Sequence, residues 1–193
     1  MDAIVKAALK KWPAVPACHG WLALDARGDW YLRDDPTQAA GPFPAVKGSR
    51  LLHEALRDFI ARNYEPDAQG AWFFQNGPQR VYVELEAAPL VLGVQWQDGL
   101  CAVRSHLQQD GVPLAVQGAW LDEVGRLFLE TDAGFGIVRS LDMDGAADAL
   151  SAGLWALTEL PFAEMPARFG YRLSPQQDLP LNVDRPGERR KPV

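Results

Sequence analysis

Cysteine is scarce in this chain: Cys18 and Cys101 are far apart and lack C-x-x-C spacing, so neither a zinc ribbon nor a disulfide framework is indicated. A reducing compartment is the expectation. Histidine is nearly as sparse. His19, His53 and His106 are too widely spaced for a metal motif and no H-E-x-x-H occurs, so no metal or other cofactor is expected. None of the 5 serines (Ser49, Ser105, Ser140, Ser151, Ser174) lies in G-x-S-x-G, which argues against a hydrolase of the common α/β type. Positive charge is also in deficit, 19 Lys+Arg against 25 Asp+Glu, for a net charge of −6. That balance points away from duplex nucleic acid and from an anionic membrane surface. No run approaches the roughly 18 apolar residues of a membrane span. The opening MDAIVKAALKKW has no apolar core of signal-peptide length, so the cytoplasm is the expected location.

What is present is an ordinary globular composition. The chain has 193 residues, 48% hydrophobic and 23% charged, enough to bury a sizeable core without staples. Its 17 Gly and 15 Pro are scattered, which suits short strands and turns better than long helices. The densest apolar stretch is GAWFFQNGPQRVYVELEAAPLVLGVQWQ, Gly70 to Gln97. Trp72 and Phe74 alternate with Phe73 and Gln75, and Val81, Val83 and Leu85 alternate with Arg80, Tyr82, Glu84 and Glu86, the period of half-buried strands. Asn76-Gly77-Pro78 turns the first pair. Pro89 interrupts the chain, Leu90 to Trp96 forms a third strand, and Asp98-Gly99 turns it into a fourth over Leu100 to Ser105.

Before this stretch the pattern predicts a helix over 3–12 with Ile4, Ala8 and Leu9 inward, a hairpin around Ala26-Arg27-Gly28, and a loop over 34–48. A helix follows from Arg50 to about Asn63, N-capped by Ser49, with Leu51, Leu52, Ala55, Leu56, Phe59 and Ile60 as its apolar stripe. After it, strands are predicted over 113–116, 119–124, 126–131 and 135–140. A turn at Asp110-Gly111 precedes them, and a turn at Asp144-Gly145 leads into a helix from Ala146 to about Thr158. The division expected is a helix and connector over 1–19, halves over 20–106 and 107–165, and an irregular tail over 166–193. The fold class is α+β, two related antiparallel-sheet-plus-helix halves packed together.

Gly28-Asp-Trp-Tyr-Leu, Gly70-Ala-Trp-Phe-Phe and Gly125-Arg-Leu-Phe-Leu share one phrase: a glycine, any residue, then three large apolar residues. Turn glycines before aromatic strands recur in any β-rich protein. Duplication is the sharper explanation, since the second and third copies stand in a similar order of strands.

The hairpin Arg27-Gly28-Asp29-Trp30-Tyr31, the segment GSRLLHEALRDF, and WFFQNGPQRVYVELEAAPLVLGV with its Glu86-Ala-Ala-Pro89 corner carry a resemblance. On these residues the chain resembles an uncharacterised proteobacterial domain-of-unknown-function family of similar length. That resemblance implies two α+β repeats, the C-terminal one similar to pleckstrin-homology-like folds. It also implies a small, nucleotide-like ligand between the halves and a role in signalling or regulation, and it offers no catalytic residue to carry over.

Chemistry-bearing motifs are few. Cys18 and His19 are adjacent, and neighbours on a strand point to opposite faces. Asp142-Met-Asp144-Gly145 is not a calcium loop, because Ala147 and Gly153 stand where Gly and Glu are needed. Glu84 and Glu86, two apart on one strand, read more simply as a solvated face than as an acid/base pair. The candidate ligand contacts are the polar side of the central strands, Gln75, Asn76, Arg80 and Tyr82, with Trp72 for stacking and Arg104 and Arg139 from later strands. The bland alternative is that Arg80 pairs with a neighbouring Glu and Tyr82 packs under a helix. A non-enzymatic protein that binds a small anionic or nucleotide-like ligand is the functional expectation. The alternative is an interaction module or homodimer that uses some of the seven tryptophans.

Overall fold

The computed structural model describes residues 1–108 and 111–177, and its strands form two six-stranded mixed sheets. The first contains β1 (Cys18–Leu24), β2 (Trp30–Leu32), β3 (Ser49–Arg50), β4 (Tyr64–Pro66), β5 (Trp72–Asn76) and β6 (Gln79–Leu85), in the order β3-β2-β1-β6-β5-β4. The second contains β7 (Leu90–Gln97), β8 (Leu100–Ser105), β9 (Val116–Leu121), β10 (Leu127–Thr131), β11 (Gly134–Val138) and β12 (Leu157–Glu159), in the order β12-β9-β10-β11-β7-β8. Helices α1 (Ala3–Lys11), α2 (Asp35–Ala40), α3 (Glu54–Arg62), α4 (Met143–Ser151) and α5 (Met165–Phe169) accompany them. The α+β class with two sheet-and-helix halves stands. The sheets are mixed rather than antiparallel, because β1 pairs parallel with β6, β7 with β11 and β9 with β12.

Both sheets contain the same five-strand arrangement. A hairpin comes first (β1–β2, β7–β8), then a three-strand meander (β4–β5–β6, β9–β10–β11), whose last strand lies parallel to the first strand of the hairpin. The glycine phrases mark three copies of one turn. Asp25, Asp67 and Asp122 each accept, through Oδ1, the backbone N–H groups two and four residues on, at 2.7–3.1 Å. The N–H of Gly28, Gly70 or Gly125 donates to the carbonyl of its aspartate at 3.1 Å. Each glycine has φ between 81° and 90°, a conformation open to glycine with little cost.

The central stretch does not stay in one sheet. β5 and β6 belong to the first and β7 and β8 to the second, with the crossing at Glu86-Ala-Ala-Pro89. One apolar core spans the two sheets: Leu22, Leu24, Phe74 and Val83 pack with Val91, Phe128 and Ile137, closed by Ile60 of α3 and Met165 of α5. The opposite face of the second sheet, Leu90, Leu92, Leu127 and Leu129, packs under Ala146 of α4. Burial on both sides explains the unbroken Leu90-Val-Leu run.

Several helix boundaries differ from the sequence reading. In α1 the buried residue is Val5, while Ile4 is 75% exposed. Residues 34–48 include α2, whose N-cap Asp34 accepts from the Thr37 N–H at 3.0 Å. Ser49 and Arg50 pair with Leu32 and Tyr31, so Ser49 caps nothing and α3 starts later, with His53 Nδ1 accepting from Leu56 N–H at 3.3 Å. Gly145 lies inside α4, where a Cβ would stand 2.9 Å from the Val94 carbonyl oxygen, so glycine lets the helix approach β7. The helix ends by Gly153 (φ 73°), and Leu157–Glu159 pairs with β9 as β12. Beyond α5 the chain is pinned as far as Gln176, whose N–H donates to Glu84 at 3.2 Å. Tyr171 Oη donates to the Ala87 carbonyl at 2.9 Å, and Leu85 N–H donates to the Leu173 carbonyl at 2.8 Å. The remainder of the predicted tail, 178–193, and Asp110 of the predicted turn lie outside the described residues.

Candidate functional site: the arginine-lined cleft between the sheets

An open cleft of about 660 Å³ lies on the seam between the two sheets, flanking the shared core. The β1–β2 turn contributes Arg27, α3 contributes Glu54, Arg57 and Asp58, β7 and β8 contribute Gly93, Gln95 and Arg104, and Arg139 follows β11. Each is held by local structure. The tip bearing Arg27 is fixed by buried Asp25, whose Oδ2 accepts from Lys47 Nζ at 2.9 Å. Burial pushes the Asp25 carboxyl up, but the bonds from Lys47 and from the N–H groups of Asp29 and Arg27 outweigh it and hold the group below its ordinary value. Lys47 also reaches Glu86 at 3.1 Å and so ties the tip to the crossing between the sheets.

Helix α3 turns Phe59 and Ile60 to the core and presents Glu54, Arg57, Asp58 and Ala61 to the cleft, the i, i+3, i+4, i+7 face. Neither Arg27 nor Arg57 has a side-chain partner among the described residues. Arg139 Nε donates to Asp142 Oδ2 at 2.6 Å, and Arg104 donates from Nη1 to Gln95 Oε1 at 2.8 Å and from Nε to the Gly111 carbonyl at 3.3 Å. The lining therefore carries four guanidinium groups against three carboxylates; Asp29 is already paired with Arg50 and Arg139 with Asp142, each at 2.6 Å. In a chain of net charge −6 this is a local reversal of sign.

His106 completes the floor. Its Nδ1 accepts from Val91 N–H at 3.1 Å, which puts the imidazole proton on Nε2. His106 lines the cleft, yet its Nε2 is shut off from solvent and has no partner among the described residues. Burial drives its pKa from 6.5 to about 4, with the Arg139 charge acting in the same direction. The ring is neutral near pH 7.

Of the residues singled out from sequence, Arg104 and Arg139 meet in this cleft and the other five lie elsewhere. Gln75 is 1% exposed and donates from Nε2 to the Gly77 carbonyl at 3.0 Å. Tyr82 donates to Asp67 Oδ2 at 2.9 Å and stacks on His19 at 4.5 Å. The Arg80 guanidinium sits over the Phe73 ring at 4.5 Å, Asn76 is exposed at the β5–β6 turn, and Trp72 packs on Tyr64 at 4.7 Å beside a separate cavity of about 350 Å³. The reason is topological: β5 and β6 lie in a different sheet from β7 and β8, so one contiguous stretch serves two surfaces. Nor is that side of the first sheet an open polar face, since Glu84 is buried there and accepts from Ser174 Oγ and Gln176 N–H. Glu86 instead turns to Lys47, so the two glutamates serve different partners. Trp12 and Trp21 are exposed, whereas Trp30 and Trp120 are buried and the other three half-buried. Sequence reading missed Arg27, Arg57, His106 and Gly93. A lone glycine inside a strand was the available signal for the last.

Fold and site define an α+β protein with a basic cleft where its two sheets meet. A family model described as Protein of unknown function (DUF2946) matches residues 1–178, and the chain belongs to that family. No curated protein and no solved structure matches it. Among the described residues no helix is long and apolar enough to cross a membrane, and no group of three or more His, Cys, Asp or Glu side chains is placed to hold a metal ion.

Proposed function

We propose that this protein binds a small anionic ligand in the cleft between its sheets and acts by binding rather than by turnover. One observation carries the reading: four arginines from four separate elements converge on a single cleft, and the side chains of two of them, Arg27 and Arg57, have no partner among the described residues. Guanidinium groups stay charged and offer forked donors suited to phosphate or carboxylate. They neither accept protons nor attack as nucleophiles, so the grouping favours recognition. Because the cleft takes residues from both sheets, a bound ligand would bridge them and stiffen the seam, the kind of coupling a regulatory protein uses.

A thermal-shift panel of nucleotides, sugar phosphates and di- and tricarboxylates at low salt tests the reading. At least one anion should raise the melting temperature of the wild type. Arg57→Gln together with Arg104→Gln should abolish the shift, and Arg80→Ala, on the far side of the first sheet, should retain it. A panel with no shift in the wild type refutes the proposal.

A further inference from the structure

The second sheet carries a row of three residues across adjacent strands. Gly93 of β7 faces Arg104 of β8 in register. On its other side β11 runs parallel to β7, with Ile137 level with Val91 and Val138 with Leu92, and Arg139 N–H donates to the Leu92 carbonyl at 2.9 Å, so Arg139 continues the register beside Gly93. Side chains level across a sheet share a face. Arg139, Gly93 and Arg104 therefore point into the cleft together, with the two arginine backbones about 10 Å apart at ordinary strand spacing.

Glycine in the middle of this row is what gives Arg139 its position. A Cβ on Gly93 would stand 2.7 Å from Arg139 Nη2 and 3.3 Å from Cζ, so the guanidinium occupies the space that any other residue would fill. Two like charges thus flank a bare stretch of backbone. Arg139 is tethered through Nε to Asp142 Oδ2 at 2.6 Å, and Arg104 through Nε to the Gly111 carbonyl at 3.3 Å and through Nη1 to Gln95 Oε1 at 2.8 Å, which leaves both Nη groups of Arg139 and Nη2 of Arg104 for something between them.

Resting on the anion-binding reading of this cleft, we infer that the Arg104–Gly93–Arg139 row is the anchor for the phosphate group of a small phosphate monoester with hydroxyl groups on its organic part. A planar carboxylate is satisfied by one guanidinium fork, whereas forks arriving from two sides call for oxygens arranged in three dimensions. A phosphate monoester is dianionic near pH 7 and matches two cations. Glu54 and Asp58 of α3 line the same cleft, and their carboxylates repel a second anionic group but accept hydrogen bonds from hydroxyls.

Isothermal titration of the full chain at low salt with glycerol 3-phosphate, inorganic phosphate and succinate tests this. Glycerol 3-phosphate should bind about tenfold or more tightly than succinate, and Arg139→Gln should weaken it by about tenfold or more, as for loss of a charged hydrogen bond. Gly93→Ala should do the same while the fold persists, because what must yield to the new methyl is the far end of a flexible side chain. Arg139→Lys, which keeps the charge and loses the fork, should recover only part of the affinity. If Gly93→Ala or Arg139→Gln binds glycerol 3-phosphate as the wild type does, the row is not the anchor. Succinate binding at least as tightly, and lost in Arg104→Gln, overturns the phosphate assignment and leaves the anion-binding cleft standing. No binding of any of the three overturns the anchor, and the wider reading falls with it only if the broader anion panel also gives no shift.

Discussion

Lys47 Nζ lies 2.9 Å from Oδ2 of Asp25, a carboxylate only 2% exposed, although Lys47 comes from the loop before β3 and Asp25 from the end of β1. The pair clamps the turn that carries Arg27. Removing the cation leaves a buried carboxylate short of its partner, and Lys47→Met should cost about 1–3 kcal/mol near pH 7, below the figure for a fully buried pair because the lysine side chain is 37% exposed. The folded-state pKa of Asp25 is depressed, so the stabilisation is fully present above the unfolded value of about 3.9 and is lost as pH falls through the folded one. Urea titrations should show wild type and variant far apart at pH 7 and drawing together at pH 3.

His106 gives a second pH signature, in a higher window. Its folded pKa of about 4 is below the unfolded 6.5, so the unfolded chain takes up the proton first. Stability is complete above pH 6.5 and declines as pH falls towards 4, by about 3 kcal/mol for a shift of this size. The slope over that range should flatten in His106→Asn, read from denaturation midpoints at half-unit steps.

Two of the three aspartate turns, at Asp122 and Asp67, should differ in what they contribute. Asp122→Ala removes an acceptor of two backbone N–H groups and the partner of Arg126 at 2.6 Å from a carboxylate 6% exposed. A loss of about 2–3 kcal/mol is expected. Asp67→Ala removes the same two backbone contacts and the Tyr82 bond from a half-buried site, and should cost less, about 1–2 kcal/mol. Chemical denaturation of both variants checks the order.

Gly136 and Gly93 separate a structural glycine from a functional one in the same sheet. A Cβ on Gly136 would stand 2.7 Å from Leu92 Cγ and 2.9 Å from the Leu90 carbonyl oxygen, both held in the neighbouring parallel strand. Gly136→Ala should cost at least about 2–3 kcal/mol, through overpacking that the sheet cannot relieve. Gly93→Ala should stay within about 1 kcal/mol of the wild type, since only a half-exposed guanidinium has to move. Thermal melts of the two alanine variants decide it.

Most strands were readable because local rules govern them. Alternation over Val81, Val83 and Leu85 and the turns at Gly77 and Gly99 lie within a few residues of what they determine. Helix starts were less readable. Leu51 and Leu52 continue the apolar stripe of α3 on paper, but β3 pairing takes Ser49 and Arg50, and the actual cap is His53, outside the favoured cap residues. Likewise Leu154, Trp155 and Leu157 extend the α4 pattern, although Gly153 has already ended the helix. Arg104 and Arg139 could be suspected as strand arginines. Arg27 and Arg57 could not, because a turn tip and a helix face reach the cleft only once the two sheets are packed together, which no short-range pattern encodes.

The four-residue link from β6 to β7 also governs how the molecule comes apart. Ala87 and Ala88 are 1% and 2% exposed, and the carbonyls of Ala87 and Pro89 receive the hydroxyls of Tyr171 and Tyr64. A connector so enclosed cannot serve as a hinge, and neither sheet can shed its order while the other keeps its own. Heating should therefore produce a single cooperative melt, and a chain cut between Leu85 and Leu90 should yield two fragments that fold only when mixed.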